Sequence, residues 1–180
     1  MNSSGANAFT YLIGTIIDLY IAAVMLRLLL QWVRADFYNP ICQFLIKVTN
    51  PALVPLRRVI PAIGRLDTAS VVLMLILESL GVWIISQIGA RAMSAQEIIV
   101  FGAMKLIMTL LTTYFFLIII SVILSWVGAR LRHPAIPLVF QLTEPVLRPF
   151  RKFIPPIAGI DLSPLFALIT IRFLILLLGW

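Results

Sequence analysis

Four stretches of this sequence are long enough and apolar enough to cross a lipid bilayer. They run at about Phe9–Trp32, Thr68–Ile88, Ile98–Trp126 and Leu162–Trp180. A hydrocarbon core of about 30 Å takes about 20 residues of helix, so each stretch qualifies as one span. The rest of the composition agrees: the chain is 62% hydrophobic and 12% charged, with mean hydropathy +1.08. Soluble domains run nearer about 45–50% apolar and about 25% charged. The N-terminal MNSSGANAF carries no basic residue, so the first apolar run is expected to stay as a span rather than leave as a signal peptide.

Between the first and second runs lies NPALVPLRRVIPAIGRLD, and between the third and fourth EPVLRPFRKFIPPIAGID. Sliding the chain by 94 positions aligns Tyr20–Ser70 with Tyr114–Pro164 without a gap. The identities include Trp32/Trp126, Pro40/Pro134, Thr49/Thr143, Pro51/Pro145, Pro55/Pro149, Arg57/Arg151, Pro61/Pro155 and Asp67/Asp161, and Arg58 answers to Lys152. Chance likeness between apolar helices would match Leu and Ile, not prolines, a tryptophan and an aspartate in register. The expected fold is therefore all-α, with four transmembrane helices as two tandem repeats at about 1–90 and 91–180 of one membrane domain. Each repeat reads as span, amphipathic Pro/Arg-rich segment, span. Two spans return the chain to its starting side, so the repeats are parallel.

Lys and Arg set the orientation. Arg34, Lys47, Arg57, Arg58 and Arg65 fall in one repeat loop, and Arg130, Arg132, Arg148, Arg151 and Lys152 in the other. The middle turn holds Arg91, with Lys105 nearby. Both repeat loops are expected in the cytoplasm and both termini outside it. Ile41, Phe44, Leu45 and Val48 predict one apolar helical face. The prolines then predict a broken pair of short helices, with Asn50 capping a new start at Pro51 and Pro61 ending it. Leu53, Leu56, Val59 and Ile60 would face acyl chains while Arg57, Arg58, Arg151 and Lys152 meet anionic headgroups or a protein partner. A re-entrant hairpin is the alternative. Asp67 and Asp161 read as caps of the second and fourth spans. Trp32 and Trp126 read as interfacial anchors.

Asp18, Arg27, Glu78, Lys105 and Arg172 fall within or near the ends of spans. Arg27 and Lys105 are expected to snorkel to opposite surfaces. Glu78 and Arg172 occupy equivalent positions about 15 Å deep, at about 1.5 Å per residue. A lone charge there costs at least about 2.5–3.5 kcal/mol, so they are expected to pair with each other. That leaves Asp18 with no partner on its own helix.

No cofactor is expected. Cys42 is a lone cysteine, His133 reads as a loop residue, and no histidine lies in a span to ligate haem. An intramembrane enzyme would need a nucleophile beside a base or a cluster of metal ligands, and neither is legible. The +7 net charge clusters beside apolar runs, which favours anionic lipid over nucleic acid. Two readings stay open: a scaffold or stress-response factor, and a small oligomeric ion channel or transporter.

The Asn39-Pro40 pair, the two proline-arginine runs, Ser163-Pro164 and the LRLLLQW and ILSW helix ends together resemble the YggT family. These are small bacterial integral membrane proteins with YlmG-type relatives in cyanobacteria and plastids. The resemblance covers nearly the whole chain. It implies an inner-membrane location and a loose association with osmotic stress, potassium homeostasis and, in the relatives, cell or nucleoid organisation. It implies no agreed biochemical activity.

Overall fold

The computed structural model describes residues 3–88, 92–127, 133–154 and 161–179. Pro155, Arg91, Arg130 and Arg132 lie outside them. Among the described residues six helices follow in order: α1 (Ser3–Trp32), α2 (Pro40–Val59), α3 (Thr68–Ile88), α4 (Ala95–Val127), α5 (Ala135–Phe153) and α6 (Ser163–Leu177). Three are long and apolar enough to cross a membrane, over Ala8–Trp32, Thr68–Ile88 and Ala95–Val127. The fourth expected span is the 15-residue α6. At about 1.5 Å per residue it extends about 22 Å, short of a typical hydrocarbon core. Leu178 caps it, and Gly179 takes φ +82°, a left-handed turn that glycine adopts without a Cβ penalty.

The chain forms two compact units. One is Met1–Leu28 with Phe44–Ile107, and the other is Leu29–Gln43 with Met108–Trp180. In the first, Ile21, Val24, Leu53, Ala69 and Met74 are fully or almost fully buried. In the second, Met108, Ile118, Leu147, Ala167, Ile171 and Ile175 form one apolar cluster, with Tyr114, Phe115 and Phe150 packed against it.

The proline-rich segments differ from expectation. Each forms a single continuous helix with its prolines inside: Pro51 and Pro55 in α2, Pro145 and Pro149 in α5. A proline in a helix interior removes the bond to the carbonyl four residues back. Each pair is spaced by four, so its members stack on one face, and all four are exposed. The freed carbonyls therefore open to the surroundings instead of the core, which is why the helix continues. The capping chemistry expected at Asn50-Pro51 operates at Asn39-Pro40: Asn39 Oδ1 accepts the Ile41 N–H at 2.9 Å and Pro40 is the first helical residue. Asn39 Nδ2 also donates to the Pro134 carbonyl at 2.8 Å. At the start of α5, His133 Nδ1 accepts the Ala135 N–H at 3.2 Å.

The buried stripe of α2 runs through Cys42, Leu45, Thr49 and Leu53. The expected stripe held only Leu45 of these, and Phe44 and Val48 point outward. Leu53, expected against acyl chains, is fully buried in protein. The α5 counterparts Thr143 and Leu147 are buried too. Thr49 and Thr143 each satisfy their hydroxyl on the carbonyl four residues back, Leu45 at 2.6 Å and Val139 at 2.9 Å. That local bond lets a polar residue sit at a core position.

Asp67 and Asp161 do more than cap. Arg57 Nε and Nη2 both reach Asp67 Oδ2, at 3.2 and 2.5 Å, and Ser70 Oγ donates to the same oxygen. On α5, Arg151 Nε donates to Asp161 Oδ2 at 2.8 Å and Nη1 to Glu144 Oε2. Asp161 Oδ1 also accepts the Ser163 N–H at 2.9 Å. Each clamp ties the basic end of a proline helix to the start of the next helix. Between Pro61 and Asp67 the chain turns tightly, with Ile63 and Leu66 exchanging backbone bonds around Gly64 at φ +61°.

The two clamps should differ in worth. Asp67 is buried, so Arg57→Ala should cost about 2–3 kcal/mol by leaving a buried carboxylate unpaired. The more exposed second clamp should lose only about 0.5–1 kcal/mol in Arg151→Ala. Thermal unfolding in detergent micelles reads both. Burial pushes the Asp67 carboxyl up, but hydrogen bonds from Arg57 and Ser70 outweigh it and hold the pKa below its ordinary value. At Asp161 too, burial pushes the carboxyl up, and bonds from Ser163 and Arg151 outweigh it and hold the pKa below its ordinary value. A depressed folded pKa gives stability that is full above the ordinary carboxylate range and lost as pH falls through the folded value. The parent should therefore lose stability on acidification, and Arg57→Ala should flatten that loss.

Candidate functional site

Three of the charges along the apolar helices meet in one place. Lys105 on α4 puts its Nζ 2.7 Å from Asp18 Oδ1 on α1 and 3.0 Å from Glu78 Oε2 on α3. Glu78 is 0% exposed, Lys105 20% and Asp18 51%. Glu78 lies ten positions past Thr68, the start of α3, and Lys105 ten past Ala95, the start of α4. At about 1.5 Å per residue both are about 15 Å from a helix end, half the depth of a bilayer core. Without water, a charge at that depth needs an opposite charge beside it.

Packing brings α3 and α4 close enough for this. Gly102 is buried, one turn before Lys105. A Cβ added there would lie 3.0 Å from the Ser79 backbone, next to Glu78. Small residues at a crossing let membrane helices approach closely. Gly102 therefore sets the separation at which the Lys105 ammonium reaches Glu78.

Several sequence expectations change here. Glu78, expected to pair with Arg172, pairs with Lys105. Lys105 bridges two carboxylates instead of snorkelling. Asp18 has a partner, and it is Lys105. Arg27 is also internal: it is buried, and its Nη1 donates to Thr49 Oγ1 at 2.5 Å. Thr49 passes the bond on to the Leu45 carbonyl, so Arg27 ties α1 to α2 through a buried hydroxyl. Sequence reasoning read Lys105 and Arg27 as snorkelling because it weighed their distance from a span end and not what faced them. A lysine ten residues inside an apolar helix was the available signal.

The cationic residues expected at an interface divide into two kinds. Arg57 and Arg151 hold the clamps. Arg58 and Lys152 are exposed. Lys152 lines an open groove of about 590 Å3 with Pro145, Arg148, Pro149 and Phe153. Arg148 also borders a second groove of about 550 Å3, against Trp32, Phe140 and Glu144. Arg172 is exposed on α6 beside an apolar groove. Cys42 is buried, and burial pushes its thiol up, away from the reactive thiolate form.

Chemically, two carboxylates on one ammonium can lock three helices or hold a proton or cation along a path. Lys105→Met should cost on the order of 3–5 kcal/mol in thermal unfolding, since it strands buried Glu78. Glu78→Gln added to Lys105→Met should recover part of that loss. Gly102→Val should destabilise by about 2 kcal/mol or more, because the Ser79 backbone has to move.

The sequence profile of the CCB3/YggT family matches residues 6–88 and 100–180. A protein of Vibrio alginolyticus, described as uncharacterised and encoded in the proC 3′ region, is 40% identical over 96% of this chain and 94% of its own length. An uncharacterised protein of Pseudomonas aeruginosa is 40% identical over 92% of this chain and 85% of its own. The uncharacterised protein YggT of Escherichia coli K12 is 38% identical over 88% of this chain and 82% of its own. No solved structure matches. With both halves of the chain matched and relatives of this identity covering most of it, the protein belongs to the CCB3/YggT family.

Proposed function

We propose that this protein is a non-enzymatic scaffold of the bacterial cytoplasmic membrane, acting in osmotic and ion homeostasis. In this reading α1, α3, α4 and α6 cross the bilayer as two parallel repeats, and both termini lie outside the cytoplasm. The short α6 crosses by local thinning of the membrane, at a modest cost per ångström of mismatch. Helices α2 and α5 lie in the cytoplasmic headgroup layer.

One observation carries the reading. Two proline helices of matching build each end in a clamp that pins their basic C-terminal turn to the start of the next helix. Clamped in this way, Arg58 and Lys152 are held exposed, with Arg148 one turn before Lys152. Each cation near an anionic surface contributes about 1 kcal/mol. Apolar side chains on the same helices, Phe44 and Val59 on α2 and Phe153 on α5, are exposed and suit the acyl boundary. The same surface suits a protein partner at the cytoplasmic face. Nucleic acid is not part of this reading.

A second reading, a small ion channel or transporter, is favoured by the Asp18–Lys105–Glu78 cluster. The two separate cleanly. In nanodiscs, replacing phosphatidylcholine with phosphatidylglycerol should raise the unfolding temperature of the parent protein. It should do so far less for a variant with Arg58→Glu, Arg148→Glu and Lys152→Glu. Equal stabilisation of both would overturn the headgroup role. Potassium or proton flux in liposomes that Glu78→Gln abolishes would instead establish the second reading.

A further inference from the structure

The proline helix α5 presents two kinds of polar group side by side. Gln141, Pro145, Pro149 and Phe153 recur every four residues and form one exposed ridge. Glu144, Arg148 and Lys152 form the neighbouring ridge, also exposed. Pro145 has no N–H to offer the Gln141 carbonyl, and Pro149 none to offer the Pro145 carbonyl. Two strong backbone acceptors therefore lie beside two cations. The two open grooves run along these ridges. Gln141, Pro145 and Arg148 border the one of about 550 Å3, and Pro145, Arg148 and Lys152 the one of about 590 Å3. Pro145 and Arg148 belong to both, so the grooves adjoin.

These groups specify the chemistry of a ligand. Arg148 and Lys152 suit a phosphate. Glu144 and Asp161 are both taken by Arg151, so these charges together leave a formal +1, which one singly charged anion balances. The carbonyls accept and cannot donate, so they suit N–H or O–H groups on the same ligand. Arg148 and Lys152 would repel an ammonium placed there, and they do not repel a neutral hydroxyl. Trp32, Phe140 and Phe153, all exposed at the groove edges, offer apolar surface to an acyl chain. A singly anionic phosphate, free hydroxyls and an apolar body describe a phosphatidylglycerol. Helix α2 carries the same proline pair, but the residue three past its first proline is Val54, where α5 has Arg148. The arginine common to both grooves thus has no counterpart on α2.

We propose that α5 is a selective site for a phosphatidylglycerol headgroup. Arg148 and Lys152 hold the phosphate, and the carbonyls of Gln141 and Pro145 accept the glycerol hydroxyls. The inference rests on the reading above that α5 lies in the cytoplasmic headgroup layer. It adds that the hydroxyls of the headgroup are read as well as its charge, and on α5 alone.

The test titrates the full-length protein in detergent with three dioleoyl lipids: phosphatidylglycerol, phosphatidylpropanol and phosphatidylcholine. Phosphatidylpropanol keeps the anionic phosphate and lacks both hydroxyls. Native mass spectrometry reads each dissociation constant. Phosphatidylglycerol should bind about three- to tenfold more tightly than phosphatidylpropanol, as one or two neutral hydrogen bonds allow. The double variant Pro145→Ala, Pro149→Ala returns a helical N–H to each carbonyl without touching a charge. It should bring the two anionic lipids to equal affinity, and thermal unfolding checks that it folds. Arg148→Val, which copies α2, should weaken phosphatidylglycerol binding about tenfold, as the loss of a charge-assisted bond does. Pro51→Ala with Pro55→Ala should leave the preference intact. Equal affinity of the parent for both anionic lipids, each above phosphatidylcholine, overturns hydroxyl recognition and leaves the headgroup reading standing. A preference that survives Pro145→Ala, Pro149→Ala, or an affinity that Arg148→Val leaves unchanged, overturns the site on α5. So does a preference lost in Pro51→Ala, Pro55→Ala. No advantage of either anionic lipid over phosphatidylcholine overturns the headgroup reading and this inference with it.

Discussion

Lys105 imposes the strictest condition on this structure. An ammonium ten residues inside an apolar helix cannot rely on water, and its free energy depends on carboxylates held within about 3 Å. Glu78 and Asp18 meet that condition from two other helices, so α1, α3 and α4 are constrained together at one level. Gly102 makes the approach sterically possible. Apolar packing alone would leave these helices free to slide, since lipid and leucine are equally apolar solvents for one another. The charge cluster gives the first unit a register that hydrophobicity could not.

The proline helices answer a different physical problem. Each basic, amphipathic proline helix is tied to the start of the helix that follows it, which a flexible loop would not do. The Arg57–Asp67 and Arg151–Asp161 clamps supply the tie, and the prolines keep one helical face open where its carbonyls can be solvated. The two copies share this plan and differ in strength. The first is buried and reinforced by Ser70; the second is more open and shares its arginine with Glu144. The first unit also holds Arg27 on Thr49, where the second has Ser121 at the position equivalent to Arg27, bonded to its own helix. The two clamped segments thus have similar frames and different polar chemistry within them.

Much of the fold was legible from residue order. The apolar runs placed α3, α4 and the apolar part of α1 to within a few residues, because the length and hydropathy of such a run are local properties. The family was legible for a related reason: prolines, a tryptophan and aspartates in register survive as a pattern even when apolar side chains drift. The proline helices were misread as broken, because a rule about helix interiors says nothing of which face a proline will occupy. Leu53 was misassigned to lipid for the same reason, since an amphipathic helix with a second apolar face can bury either one.

The sequence by itself determined that the chain is helical, apolar enough for a bilayer, basic at its proline segments and a member of its family. These follow from composition and short-range spacing. Tertiary structure alone decided the partners: Glu78 with Lys105, Asp18 with Lys105, Arg27 with Thr49, and Arg57 and Arg151 with the aspartates that cap the following helices. Which opposite charge is near is set by how helices distant in sequence pack. Between residues as far apart as Asp18 and Lys105, a pattern in one dimension carries no distance.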